Sequence, residues 1–87
     1  MRLNKDVSKS LNVDKTTREF GSRIRAIRKE LAMSQEELGD VAGLHRTYIG
    51  HLERGEVNPS LINILRVAKA LKVDPSSLVS GLKIPRR

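Results

Sequence analysis

A polar stretch near the middle of the chain, HRTYIGHLERGE, carries most of the side chains that could do chemistry. On a helix over residues 46–54, the helical period turns Ile49, Leu52 and Glu53 inward. The outward residues are Arg46, Thr47, Gly50, His51 and Arg54. Arginine can donate two hydrogen bonds to guanine O6 and N7, and threonine and histidine can also bond base edges in a major groove. Arg46, Thr47 and His51 therefore have the chemistry that contacts with DNA bases require.

The two histidines of this stretch do not have the spacing of a metal site. His45 and His51 lie six residues apart, so they do not share a helix face as an i, i+4 pair would, and the chain has no cysteine. No nucleophile stands beside a general base, and no glycine-rich loop follows a strand. We therefore predict a protein that is not an enzyme and binds neither a metal nor a cofactor.

The charge of the chain favours an anionic partner. Its 87 residues suffice for one domain, and 17 basic against 10 acidic residues give a net charge of +7. Residues 1–33 carry +5 and residues 55–87 carry +4, whereas residues 34–54 carry −2. If the middle segment contacts bases, the flanks must supply most of the attraction to phosphates. The absence of cysteine, of a long apolar run and of an apolar signal core predicts a cytoplasmic protein.

Apolar spacing predicts the helices that would position the polar stretch. A first helix over Arg18 to Leu31 has an inward stripe of Phe20, Ile24, Ile27 and Leu31. Ser34 and Glu37 form the pattern of a capping box, so a second helix starts near Gln35 and ends before Gly43. The third helix ends at Gly55.

Two further helices follow. Ser60 caps a fourth helix through about Leu71, whose inward face carries Leu61, Ile64, Leu65, Ala68 and Leu71. A short fifth helix follows Pro75 and stops at Gly81. The sequence thus predicts a compact all-α domain over residues 17–82, with a flexible N-terminal arm at 1–16 and a basic tail at 83–87. The arm is either disordered or reaches an adjacent minor groove.

Together these features resemble the Cro/cI-type helix-turn-helix repressors, also called the XRE family. The segments SQEELGDVAGLHRTYIGHLERG and NPSLINIL carry the resemblance, which extends over residues 20–81. Gly39 is small where two helix backbones approach, and Gly43 supplies the turn. Within the family, GLHRTYI, ERG and SLINI are most similar to the controller proteins of restriction-modification systems. The resemblance implies a five-helix fold and a dimeric transcriptional regulator bound to an inverted-repeat operator in double-stranded DNA.

The resemblance also assigns roles to individual residues. Arg46, Thr47 and His51 match the positions that face bases, and Gln35 matches a glutamine that binds phosphate. Further candidates for phosphate contacts are His45, Tyr48, Arg54 and Asn58; Tyr48 could instead pack half-buried with its hydroxyl at the surface. Gly50 either permits a closer approach to the DNA backbone or is merely tolerated. Arg28 and Glu53 match positions that form a buried salt bridge, the alternative being a weak surface pair.

The last two helices have more apolar residues than one small core needs. We assign this excess to a homodimer interface formed by Ile62, Leu78, Val79 and Leu82. The alternative is a monomer in which all these residues pack internally. A rival function is that of an antitoxin, which would neutralise a toxin through the N-terminal arm or the apolar C-terminal surface and regulate its own operon.

Overall fold

The computed structural model describes residues 14–85, and every regular element in that range is a helix. The helices are α1 (Lys15–Glu30), α2 (Gln35–Ala42), α3 (Arg46–Glu53), α4 (Leu61–Leu71) and α5 (Ser76–Val79). The predicted all-α architecture of five helices is confirmed. Within residues 14–85 no helix is long and apolar enough to cross a membrane.

The first helix begins three residues earlier than the apolar spacing predicted. Asp14 caps it, since its side chain accepts a hydrogen bond from the Thr17 amide at 3.0 Å and the Thr17 hydroxyl accepts one from the Asp14 amide at 3.2 Å. The Thr16 hydroxyl also donates to the carbonyl of Lys83 at 2.6 Å. Residues 15 and 16 therefore belong to α1 and not to the predicted arm. The remainder of the predicted arm, residues 1–13, and residues 86–87 lie outside the described range.

The core is formed by the inward faces of all five helices. Its buried apolar side chains are Phe20, Ile24, Leu38, Ala42, Ile49, Leu52, Val67, Ala68, Ala70, Leu71 and Leu78. Burial of each large apolar side chain stabilises the fold by about 1.5–3 kcal/mol. Three residues that the predicted stripes placed inside are exposed instead: Leu31, Leu61 and Leu65. The first follows the end of α1, and the other two lie one turn apart on the outer side of α4.

The fifth helix corrects the predicted dimer interface. Leu78 is fully buried, because α5 packs on α1 and turns this side chain into the core. Its assignment to a dimer interface is therefore wrong. Ile62 and Val79 are exposed, and Leu82 is partly buried against the core.

The turn between α2 and α3 depends on two glycines. Gly43 has φ of 73° and ψ of 32°, the left-handed conformation that ends α2 and that residues with a Cβ rarely adopt. The Leu44 amide then donates to the Gly39 carbonyl at 2.8 Å. A Cβ at Gly39 would overlap the carbonyl oxygen of Leu44. The two helices are thereby held in the tight arrangement that a helix-turn-helix requires.

A second close approach fixes α3 against α1. A Cβ at Gly21 would overlap the carbonyl oxygen of Leu52 and lie 2.6 Å from that of Glu53. Both neighbours are backbone atoms, so neither can move without displacing α3. This contact between backbones sets the distance between α1 and α3.

We predict that Gly21→Ala lowers the free energy of unfolding by about 1–3 kcal/mol, because the added methyl group forces α1 and α3 apart. Urea denaturation would measure the change. The neighbouring Ser22 is exposed on the same helix, and Ser22→Ala should change stability by less than about 0.5 kcal/mol. A Gly21→Ala protein as stable as the original would contradict the close packing, since alanine is otherwise the better helix former.

Candidate nucleic-acid interface

The third helix starts on a histidine cap. His45 has extended backbone angles, and its Nδ1 accepts a hydrogen bond from the Thr47 amide at 3.0 Å. Because Nδ1 is the acceptor, the proton of the neutral ring lies on Nε2. The exposed Nε2–H remains available as a donor to an anion, which is compatible with the predicted phosphate role.

The outer face of α3 carries the predicted base-contacting residues. Arg46 and Thr47 are exposed and His51 is partly exposed, while Ile49 and Leu52 lie in the core. Arg46 pairs with Glu36 of α2 across 3.6 Å, and both side chains are about two-thirds exposed. Such a pair contributes about 0–1 kcal/mol in water, so a stronger partner can take the guanidinium from it.

Gly50 is buried, whereas the sequence analysis placed it among the outward residues of α3. The guanidinium of Arg54 lies over it, and a Cβ at Gly50 would stand 3.1 Å from Arg54 Nη1. The Arg54 side chain is held in this position by Glu56, whose Oε2 accepts a hydrogen bond from Arg54 Nε at 3.0 Å. Neither predicted explanation for Gly50 involved its arginine neighbour.

Glu56 is the functional candidate that sequence reasoning missed. Its second oxygen, Oε1, lies 2.7 Å from His51 Nδ1, so one carboxylate bonds two side chains of the outer face. The hydrogen bond from Arg54, followed by that from His51, holds the pKa of Glu56 below its ordinary value. The signal in the sequence is ERGE, since a glycine that ends a helix brings the residue after it beside the last turn.

A buried ion pair joins the inner side of α3 to α1. Arg28 Nε and Nη2 donate to the two carboxylate oxygens of Glu53 at 2.6 and 2.9 Å, and Arg28 Nη1 donates to the Met33 carbonyl at 2.8 Å. The pair is buried, so the structure has the salt bridge in the form that the resemblance implied. The hydrogen bonds that Arg28 donates to the Glu53 carboxylate raise the pKa of Arg28 above its ordinary value.

The same carboxylate positions Gln35. Gln35 Nε2 donates to Glu53 Oε1 at 3.0 Å, which joins the start of α2 to the end of α3. That amide has a second hydrogen to donate, and it lies at a helix N-terminus, where anions bind well. Glu36 and Glu37 also stand in this first turn, and the Glu37 amide already donates to Ser34 Oγ. Gln35 thus lies where a phosphate could be bound.

Tyr48 and Asn58 are the remaining predicted phosphate residues. Tyr48 packs half-buried against the core and its hydroxyl accepts a hydrogen bond from Asn63 at 3.1 Å, as the packing alternative anticipated. Its own hydroxyl proton stays free. Asn58 is exposed in the loop before α4. Among residues 14–85, no group of three or more His, Asp or Glu side chains could hold a metal ion.

Comparison with known proteins assigns the family. The helix-turn-helix family model matches residues 24–78. The chain belongs to the helix-turn-helix family. Control protein C.BamHI of Bacillus amyloliquefaciens is 49% identical over 61 residues, which are 69% of this chain and 75% of that protein. The expected membership of the Cro/cI-type (XRE) family is confirmed.

Solved structures of two helix-turn-helix proteins support the same assignment. The restriction-modification controller protein C.AhdI of Aeromonas hydrophila is 45% identical with a TM-score of 0.70, covering 71% of this chain and 94% of that one. The c2 repressor of Salmonella phage P22, solved with a synthetic operator, is 40% identical with a TM-score of 0.67, covering the same shares. This helix-turn-helix chain therefore resembles both controller and repressor proteins.

We predict that Arg28→Ala destabilises the domain by about 3–5 kcal/mol, because the substitution leaves the Glu53 carboxylate buried without its partner. Chemical denaturation would measure the loss. Arg23 on the same helix forms an exposed pair with Glu19 at 3.0 Å, and Arg23→Ala should cost only about 0–1 kcal/mol.

A double variant separates the buried charge from general damage to α1. Arg28→Met with Glu53→Leu removes both charges together and should be more stable than Arg28→Ala. Equal losses for Arg28→Ala and Arg23→Ala would show that the buried pair does not organise the domain.

Proposed function

We propose that this protein is a sequence-specific DNA-binding transcriptional regulator that acts as a homodimer on an inverted repeat. One observation carries the proposal: α3 presents exposed Arg46, Thr47 and His51 on its outer side while its inner side is fixed by the core and by the Arg28–Glu53 pair. A helix with a polar outer face and a rigid inner face has the properties needed to enter a major groove.

The chemistry of the outer face favours base recognition. The guanidinium of Arg46 suits guanine O6 and N7, and Thr47 can bond a base edge or contact a thymine methyl group. The exposed pair with Glu36 is weak, so it leaves the guanidinium of Arg46 available to a base. His51 occupies the next turn of the same face, so the three side chains together span several base pairs.

Phosphate contacts would flank these base contacts. Gln35 lies at the start of α2 and the exposed ring of His45 precedes α3, so each could bind a phosphate beside a helix N-terminus. The Tyr48 hydroxyl, Arg54 and Asn58 are further donors. The guanidinium of Arg54 already binds Glu56, so its charge is less available to phosphate than that of Arg46.

A homodimer would place two recognition helices on one operator. Two copies of α3 about 34 Å apart would meet successive major grooves and double the number of bases contacted. On α4, Leu61, Ile62 and Leu65 are exposed at i, i+1 and i+4, which gives this helix an apolar outer side. The interface that we propose consists of these three residues with Val79 and Leu82. It does not include Leu78.

The functions named for the similar proteins indicate which kind of regulator this chain is. C.BamHI and C.AhdI are controller proteins, and the c2 repressor was solved on a synthetic operator. We propose that this chain is likewise a controller of a restriction-modification operon. It would be a binding protein and not an enzyme, and it would act in the cytoplasm, where the DNA is. None of the residues in 14–85 specifically favours the antitoxin alternative.

We predict that Arg46→Ala costs about 1–3 kcal/mol of binding on the true site and relaxes one base position, whereas Gln35→Ala weakens all duplexes alike. Fluorescence anisotropy with DNA from upstream of the gene and with a scrambled duplex, at two salt concentrations, would measure both effects. The preference of the original protein should survive the higher salt.

A charge-matched variant controls for simple loss of a cation. Arg23 lies on α1, away from the proposed interface on α4, and Arg23→Ala should leave the preference for the upstream DNA unchanged. An equal loss on every sequence for Arg46→Ala would remove its base-contacting role. Equal binding of both duplexes that disappears at higher salt would overturn the proposed function, because only nonspecific attraction behaves in this way.

We predict that Ile62→Glu weakens the dimer by about tenfold or more, which corresponds to about 1.4 kcal/mol, because it puts a charge into an apolar interface. Sedimentation equilibrium would measure the dissociation constant. Val41 is also exposed but lies on α2, so Val41→Glu should leave the dimer unchanged. Equal effects of the two substitutions would contradict an interface on α4.

A further inference from the structure

We propose that Glu56 is a positioning residue that fixes the ring of His51 and thereby selects the base that this histidine recognises. The inference rests on the proposed DNA-binding function, since it concerns the orientation of one base-contacting side chain. Glu56 itself need not touch DNA. It acts through the hydrogen bond between its Oε1 and His51 Nδ1, which measures 2.7 Å.

The end of α3 places Glu56 beside His51 by backbone geometry. Gly55 has φ of 74°, its amide donates to the Leu52 carbonyl at 3.0 Å, and the Glu56 amide donates to the His51 carbonyl at 2.9 Å. These two bonds are the pattern of a Schellman motif, in which the residue after the glycine returns to the last turn of the helix. The backbones of Glu56 and His51 are therefore joined before their side chains meet.

The carboxylate is held at both oxygens. Oε1 faces His51 and Oε2 accepts from Arg54 Nε at 3.0 Å, while the guanidinium of Arg54 lies over the bare backbone of Gly50. A carboxylate held at two points has little rotational freedom. It therefore offers His51 an acceptor in a fixed direction. The side chains of His51, Arg54 and Glu56 are about half exposed to water.

The chemistry of the carboxylate determines which ring nitrogen carries the proton. An ionised carboxylate only accepts hydrogen bonds, so a nitrogen 2.7 Å from it must be protonated. Arg54 Nη2 also lies 3.4 Å from the same nitrogen, but this contact is longer and would need a lone pair there. The shorter contact decides, and in the neutral ring Nδ1 carries the hydrogen.

The other ring nitrogen is then the one available to DNA. In the neutral Nδ1–H tautomer, Nε2 is a pure acceptor. In the major groove, the exocyclic amino groups of cytosine (N4) and adenine (N6) are donors, whereas guanine presents acceptors. Glu56 therefore directs neutral His51 toward a base that bears an amino group and away from the guanine N7 and O6 edge.

The first test is a measurement on the free protein. The ¹⁵N chemical shifts of the His51 ring across a pH titration report which nitrogen is protonated in the neutral form. We expect Nδ1–H in the original protein, and a mixture of tautomers in Glu56→Ala. The control is Asp40→Ala, which removes an equal charge from the exposed face of α2 and should leave the tautomer unchanged. A neutral ring protonated at Nε2 in the original protein would overturn the proposal.

The second test uses a double-mutant cycle on DNA from upstream of the gene and on versions with single base pairs changed. We expect the original protein to prefer an amino-bearing base by about tenfold at the position that His51 contacts, and Glu56→Ala to lose that preference. In a His51→Ala background, Glu56→Ala should cause no further loss. An equal loss with and without His51 would assign Glu56 a general electrostatic or structural role and overturn the inference.

The two tests also separate this inference from the proposed function. If the original protein shows no preference for the upstream DNA over a scrambled duplex, the proposed function fails. The tautomer measured without DNA still decides whether Glu56 controls the His51 ring.

Discussion

The buried pair of Arg28 and Glu53 is the interaction on which the geometry of this domain depends. Arg28 comes from α1 and Glu53 from the end of α3, and the same carboxylate also binds Gln35 at the start of α2. Three helices therefore meet at one acid. Because removing a partner from a buried pair leaves an uncompensated charge, this network tolerates few other arrangements of α3. The orientation of the outward side chains follows from that restriction.

Close backbone contacts at three glycines also hold α1, α2 and α3 in position. At Gly21 the chain of α1 touches the carbonyl oxygens of Leu52 and Glu53, so the arginine of α1 and the carboxylate of α3 come within reach of each other. At Gly39 and Gly43 the absence of a side chain allows α2 and α3 to approach across a short turn. These close contacts and the buried pair add to the packing of α2 and α3 on the core, which matters because each helix has only eight residues.

Much of this arrangement could be predicted because it depends on local rules. The capping box at Ser34, the left-handed Gly43 and the inward period of α3 follow from spacing alone. The start of α1 was missed because Asp14 caps it through Thr17, whose hydroxyl also bonds the distant Gly55 carbonyl. Leu78 was misplaced because a four-residue helix has no reliable period. Glu56 and the burial of Gly50 depend on side chains from separate turns, which no single periodicity describes.

The charges of the helix-turn-helix explain how affinity and specificity can be divided within one small chain. Residues 34–54 carry −2, and the acids Glu36 and Glu56 each pair with a cation of the outer face, which leaves that face close to neutral. A neutral face is not drawn strongly to phosphate, so it gains little from an incorrect sequence. The excess of positive charge lies in the flanking segments, which attract any DNA. On the proposed function, discrimination would then fall to hydrogen bonds between α3 and base edges, and Glu56 would set the direction of the one made by His51.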